Sequence, residues 1–175
     1  MKLIVGISGA SGVEIGVEFI KHIPKDIELF VVNSDNSHTV YDKENRKTFA
    51  AYDNTNIAAP IASGSFGADA MIIVPCSTNT LSKIAHGISD NLITRASSVM
   101  LKERKQLILA LRETPLSTIM LKNMTKLSKY GAIIAPPMLG YYSEQKSLED
   151  MHKFLFGKWL DLLGIENRLY KRWNG

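Results

Sequence analysis

The sequence predicts a three-layer α/β fold built on a mostly parallel sheet, and three observations carry that expectation. Short apolar runs at residues 2–7, 27–32, 71–74 and 106–111 are what strands buried on both faces show. Between them, apolar residues recur at helical spacing. Glycine, serine, asparagine and proline punctuate the passages from strand to helix. Strands alternating with helices in this way place a sheet between two helical layers. With 175 residues the chain is expected to form a single domain over residues 1–175, long enough to bury a core.

Composition narrows the function. A hydrophobic share of 45% and a charged share of 22% are those of an ordinary globular protein rather than a disordered or membrane-embedded one. The net charge of +4 is spread along the chain, and only residues 168–172 are locally basic, with Tyr170 among them. That favours small anionic ligands over nucleic acid. One cysteine, Cys76, excludes an internal disulfide and a CxxC site and fits a reducing compartment. The N-terminal apolar run is too short for a signal segment and no stretch approaches a membrane span, so a cytoplasmic protein is expected.

Taken in order, the first strand (2–7) runs into Ser8-Gly9-Ala10-Ser11-Gly12, a turn of small residues that lets backbone amides approach a ligand closely. It is not the dinucleotide fingerprint: GxGxxG laid from Gly6 puts Ser8 and Ser11 where glycines should stand, and no GxxxxGK[ST] loop is present. The turn reads either as the seat of a nucleotide-like ligand or as a tight turn alone. A helix follows from residue 13 to about 23, with Ile15, Phe19 and Ile20 on its apolar face. The second strand (27–32) is closed by Asn33-Ser34-Asp35-Asn36, and the polar stretch 37–47, which holds Glu44, looks helical. Residues 50–70 have little periodicity. The small-residue run 61–67 suits close approach to a flat ring or a neighbouring subunit, or is a solvent loop.

The stretch from 71 to 116 carries most of the chemistry. A strand (71–74) ends at Pro75, and Ser77-Thr78-Asn79-Thr80 opens a helix whose first N–H groups are either capped or free to seat a phosphate. Residues 90–105 read as a helix on which Arg95 and Lys102, seven apart, share one face. After the strand 106–111 come Arg112 and Glu113, in the crevice beyond the strand ends where open α/β sheets bind ligands. Thr114 then reads as an N-cap with Pro115 at the first helical position, and Leu116, Ile119, Met120, Met124 and Leu127 as the inward face of that helix. A last strand (131–135) closes at Pro136-Pro137 and leads to a loop with the phenols Tyr141 and Tyr142. Ser147 caps the final helix, with Asp150 three residues on; its core face holds Leu148, Met151, Leu155, Trp159 and Leu162, and Lys158 lies on another face. Trp173 suits a tail anchor or an oligomer contact.

The residue set limits the reaction. His22, His38, His86 and His152 show no ligand spacing, and no HExxH, DxD or Cys/His cluster occurs, so no metal is expected. No GxSxG elbow is present, which argues against a hydrolase triad. What remains is the cations Arg95, Lys102, Arg112 and Lys158, the hydroxyls of Ser11, Ser34, Ser77, Thr80 and Tyr142, and one placed carboxylate, Glu113. Such a set binds a phosphorylated ligand and helps phosphate leave, by charge neutralisation and one positioned proton. Lys102 also has a plainer reading, as part of a solvated helix end that matches the helix dipole.

Gly9-Ala10-Ser11-Gly12, Pro75-Cys76-Ser77-Thr78-Asn79-Thr80, Asp90-Asn91-Leu92-Ile93-Thr94-Arg95-Ala96, Leu101-Lys102-Glu103-Arg104 and Arg112-Glu113-Thr114-Pro115-Leu116 together resemble the UbiX-type flavin prenyltransferases. So do Gly140-Tyr141-Tyr142, Leu148-Glu149-Asp150 and the closing Arg172-Trp173, in the family's order and over essentially the whole chain. The resemblance implies a flavodoxin-like Rossmann variant that binds FMN and joins it, in reduced form, to dimethylallyl monophosphate at flavin N5 and C6. Phosphate leaves without a metal, and the prenylated FMN serves a UbiD-type decarboxylase in ubiquinone biosynthesis or aromatic-acid breakdown. It further implies that Gly9, Ala10, Ser11, Ser34, Ser77, Thr78, Asn79, Thr80 and Arg95 hold FMN. Lys102, Arg112, Tyr142 and Lys158 would hold the prenyl phosphate, with Glu44 arriving from a neighbouring subunit of a large homo-oligomer, commonly a dodecamer. Glu113 would be the proton shuttle, aided by Ser11.

Four positions depart from the family. Lys158 stands where arginine is more usual, which keeps the charge and loses the two-pronged fork. Tyr141 replaces a phenylalanine, and Ser97-Ser98 replaces Ala-Asp. Other readings of the same residues are an FMN-dependent aromatic-acid decarboxylase, a cysteine decarboxylase of related fold, and a non-catalytic flavin-binding subunit. The Arg112-Glu113-Thr114-Pro115 motif sets the sequence apart from the cysteine decarboxylases.

Overall fold

The computed structural model describes residues 1–9, 12–34 and 48–173, which divide into two compact units, Met1–Pro136 and Pro137–Gly175. The first unit runs β1 (Lys2–Ile7), α1 (Val13–Lys21), β2 (Glu28–Asn33), β3 (Phe49–Asp53), two single 3₁₀ turns (Pro60–Ala62 and Gly64–Phe66), β4 (Ala70–Cys76), α2 (Thr78–Ala85), α3 (Leu92–Lys102), β5 (Gln106–Leu111), α4 (Thr118–Lys129) and β6 (Ile133–Ile134). All six strands are parallel, in the order β3-β2-β1-β4-β5-β6, so the order reverses between β1 and β4. With the edge strand β3 set aside, the remaining five follow the flavodoxin order.

Residue alternation along the strands supplies both cores. Ile4, Phe30, Val32, Met71, Ile73, Leu107 and Leu109 face one side and pack with Leu81 and Ile84 of α2, Leu92, Ile93, Ala96 and Met100 of α3, and Leu127 of α4. Helix α1 covers the opposite face and comes so close that Gly16 lies directly against the Val74 carbonyl. The β4–β5 register shifts between Ile73 and Cys76, the stretch that contains Pro75, a residue that strands tolerate at such irregularities.

Three details differ from the sequence reading. The strand β3 was not expected; it is a sheet edge whose side chains are exposed or half-buried, so no buried run marks it. Helix α4 starts at Thr118, not at Pro115, because Ser117 is the cap whose Oγ accepts the Met120 N–H. Leu116 therefore precedes the helix and is exposed, Ile119 in its first turn is 70% exposed, and the buried positions are Asn123 and Leu127. The expected last strand shrinks to Ile133–Ile134. The expected helix at 37–47 lies outside the described residues.

The second unit contains a 3₁₀ turn (Tyr141–Ser143) and α5 (Leu148–Leu162). Ser147 and Asp150 form a reciprocal capping box, as their spacing predicts. Phe154, Leu155, Phe156, Trp159 and Leu160 are buried, whereas the two ends of the expected core face are not: Leu148, in the first turn, is exposed although it shares the side of Leu155 and Trp159, and Leu162, in the last turn, is partly exposed. Substituting Ala for Gly16 should test the close α1–β4 approach. A Cβ there would press on the Val74 oxygen and lie 3.0 Å from Ile7 Cγ1. Urea unfolding should show a loss of about 1–3 kcal/mol, the usual cost of overpacking.

Candidate active site

Parallel strands bring every carboxyl end to one edge of the sheet, and there the loops after β1, β2, β4 and β5 are hydrogen-bonded to one another. Ser8, 1% exposed, ties the first to the third: its Oγ donates to the Pro75 carbonyl at 3.2 Å and accepts the Ser77 N–H at 2.9 Å. The Ser34 N–H donates to the Ile7 carbonyl at 2.9 Å, and the Ser34 hydroxyl accepts the Gly9 N–H. The Arg112 N–H donates to the Cys76 carbonyl at 3.1 Å. These bonds hold open a polar cavity of about 400 Å³ lined by Gly9, Ser34, Asn54, Ser77, Thr78, Asn79, Asn91, Arg112 and Glu113. Its size suits a small cofactor or substrate.

Two helix ends meet this cavity and differ in kind. At α2, Ser77 accepts the Thr80 N–H, while the N–H groups of Thr78 and Asn79 have no partner among the described residues. They form an open anion seat. At α3 the first amides are closed: the Asn54 carbonyl takes Leu92 N–H at 2.7 Å, Asn54 Oδ1 takes Ile93 N–H at 2.9 Å, and Asn91 takes Thr94 N–H at 2.9 Å. Asn54 and Asn91 are site residues that the sequence reading does not contain. Asn91, just ahead of a helical pattern, carried a cap signal, but Asn54 follows an edge strand and carried none.

The charged groups are few. Arg112 packs alongside Gly12, whose φ of 103° puts the chain in the left-handed region that glycine tolerates, with the Arg112 Cδ 3.6 Å from the position a Cβ would take. The Arg112 Nε is buried and unpartnered among the described residues, a donor waiting for an acceptor. Glu113 lines the same cavity; its carboxylate accepts the Thr114 N–H at 3.0 Å. Cys76, next to Ser77, is not a nucleophile: burial pushes its thiol up to about 12, and the backbone hydrogen bond with Leu81 only partly opposes that.

Gly9, Ser34, Ser77, Thr78, Asn79, Arg112 and Glu113 are thus brought together, while other expected residues stand apart. Thr80 is buried and braces Ser77, 3.0 Å between hydroxyls, rather than lining the cavity. Arg95 and Lys102 do share a face of α3, but that face meets the 3₁₀ turns: Arg95 Nε donates to the Ala62 carbonyl at 3.3 Å, and Lys102 pairs with Glu103 over Gly64. Lys102 precedes β5 and Glu113 follows it, so within one chain they sit at opposite sheet edges, about 20 Å apart at the strand's rise per residue. Tyr142 and Lys158 belong to the second unit. Ala10, Ser11 and Glu44 lie outside the described residues. Among the described residues no group of His, Cys, Asp and Glu could hold a metal ion, and no helix is long and apolar enough to cross a membrane.

A cation with a buried, unpartnered Nε, two free helix amides and a carboxylate meet at the strand-order reversal, a set suited to a phosphorylated ligand, and comparison with known proteins makes the class specific. Residues 1–157 match the model of the Flavoprotein family. The flavin prenyltransferase UbiX of Helicobacter pylori is 50% identical over 184 residues, covering 99% of this chain and 98% of the relative. The crystal structure of AnUbiX (PadA1) in complex with FMN and dimethylallyl pyrophosphate superposes with a TM-score of 0.89 at 38% identity, covering 99% of this chain and 97% of that one. A dodecameric FMN-dependent UbiX-like decarboxylase from Escherichia coli O157:H7 does so with a TM-score of 0.89 at 37% identity, both chains covered fully. The chain belongs to the UbiX flavin prenyltransferase family of flavoproteins.

The burial of Cys76 predicts its chemistry. In the folded protein iodoacetamide at pH 8 should leave Cys76 unmodified over hours, and the thiol should become reactive on unfolding in urea; mass spectrometry reads both states.

Proposed function

We propose that this protein is a flavin prenyltransferase. It joins the dimethylallyl group of dimethylallyl monophosphate to N5 and C6 of reduced FMN, releases phosphate, and passes prenylated FMN to a UbiD-type decarboxylase. The carrying observation is the buried, unpartnered Arg112 Nε beside Glu113 in the polar cavity, in a chain 50% identical to a flavin prenyltransferase over nearly its full length. Reduced FMN, when bound, supplies the nucleophilic positions. Gly9, Ser34, Ser77, Thr78 and Asn79 hold it, the last two through their free amides. Arg112 takes the prenyl phosphate and neutralises charge as that phosphate leaves. Glu113 carries the proton released when the flavin ring is substituted. Ala10, Ser11, Tyr142 and Lys158 keep the roles the sequence resemblance assigns them. One cysteine, buried, agrees with a cytoplasmic setting.

The placement of Lys102 and Arg95 fits an assembly of copies, the large homo-oligomer expected from the sequence, in which each α3 offers its cations to the site of another chain. Glu44 has the same assignment. Closed symmetry would complete every site in this way.

The decisive assay is anaerobic incubation of the protein with reduced FMN and dimethylallyl monophosphate or, in parallel, the pyrophosphate. The flavin should gain one C5 unit by mass, and Glu113→Gln should slow the gain at least 100-fold, the usual scale of a lost proton transfer. Unmodified FMN with either donor would favour a flavin carrier, and carbon dioxide from an aromatic acid without a partner protein would favour a decarboxylase. A second assay reads the shared site. Lys102→Ala and Glu113→Gln chains, each inactive alone, should regain activity when co-expressed; sites built by single chains would not recover.

A further inference from the structure

The second unit carries a network that the reaction as described does not use. Asp161, on the last turn of α5, receives four donors from the tail. Tyr170 Oη donates to Oδ2 at 2.6 Å, Arg172 grips both oxygens at 3.0 and 2.7 Å, and Asn167 Nδ2 donates to Oδ1 at 2.8 Å. Arg172 also stacks over the Tyr170 ring, 5.2 Å from its centre. Burial pushes the Asp161 carboxyl up, but these donors outweigh it and hold it below the ordinary range, while burial and Asp161 push the Tyr170 phenol up to about 12. A carboxylate saturated by a bidentate arginine and two further donors is a strong, directional fastening.

What is fastened leads to Tyr142 by two routes. The Tyr170 ring lies against Gly157, where no side chain could fit, and meets Phe154 edge-on at 5.1 Å. Phe154 in turn meets Tyr142 edge-on at 5.8 Å. On the other side Trp173, the residue after Arg172, meets Tyr142 edge-on at 5.9 Å. Gly140 permits this packing, since a Cβ there would lie 2.5 Å from Phe154 Cζ and 2.8 Å from Tyr142 Cε1. A third tie joins the tail to the turn itself, through the ion pair of Lys171 with Glu144.

We infer that Asp161 is a positioning residue for Tyr142, fixing the phenol through Tyr170–Phe154 on one side and Arg172–Trp173 on the other. Asp161 does not touch Tyr142; it immobilises the rings that do. A phenol held on two sides meets a phosphate with its rotamer already set, so less entropy is lost on binding. The inference rests on the reading that Tyr142 contacts the prenyl phosphate.

The test separates the two claims. Hydrogen exchange of the 138–146 segment should rise at least severalfold in Asp161→Ala, with FMN affinity unchanged; unchanged exchange there would overturn the positioning role whatever the activity. In kinetics, Asp161→Ala should raise KM for dimethylallyl monophosphate about tenfold, the scale of a small misplacement of a binding group, more than it lowers kcat. In the Tyr142→Ala background the same substitution should add little, because the group it positions is gone. Full additivity would overturn the inference. Tyr170→Phe, which loses one donor and keeps the ring, should be milder than Tyr170→Ala, and this pair serves if Asp161→Ala fails to fold. Wild-type protein that prenylates no flavin while exchange still rises would sink the assigned role of Tyr142 and leave its positioning by Asp161 standing.

Discussion

The site depends on one buried hydroxyl. Ser8 donates to the Pro75 carbonyl and accepts the Ser77 amide, so the loop after β1 and the loop after β4 are joined at the place where strand order reverses. A parallel sheet necessarily opens a crevice there, because its crossover connections leave in opposite directions. The serine ties the two loops at that crevice to each other. Its bond to Ser77 fixes the cap of α2, and the cap leaves the Thr78 and Asn79 amides free. A water could satisfy the same groups without setting their spacing; a side chain on β1 sets it.

Chemistry at the crevice follows from contrast between neighbours. The α3 end is closed by Asn54 and Asn91, so it offers no competing anion seat, whereas α2 keeps two free amides and Arg112 an unpartnered Nε. Arg112 and Glu113 are adjacent in sequence because β5 ends between the core and the cavity. One residue past the strand turns toward Gly12 and the next stays in the open. A guanidinium with its Nε shut away from water and an exposed carboxylate are different environments, and the strand end provides both.

The strands legible in the sequence were those covered on both faces. β1, β2, β4 and β5 declare themselves as apolar runs, whereas β3 presents Ala51 and Asp53 to solvent and has no such mark. The start of α4 was misplaced because Thr114-Pro115 and Ser117 are both good starting signals, and only tertiary packing chooses between them. Site residues following buried strands, Gly9, Ser77, Arg112 and Glu113, could be read from position alone, since a parallel sheet sends them all to one edge. Asn54 could not, because it follows the strand that was missed. Periodicity rightly put Arg95 and Lys102 on one face, yet it says nothing of where a helix points; α3 runs back along the sheet and carries Lys102 to the far edge.

The single thiol has a practical meaning for those who would watch this enzyme work. With Cys76 sealed behind α2, the chain has no reactive sulfur of its own to compete with one introduced by design. A cysteine placed on an exposed position of α3 or in the turn near Tyr142 would be the sole point of attachment for a spin label or a dye. Distances between copies, or between the tail and the turn, could then be followed in solution without first stripping out native residues.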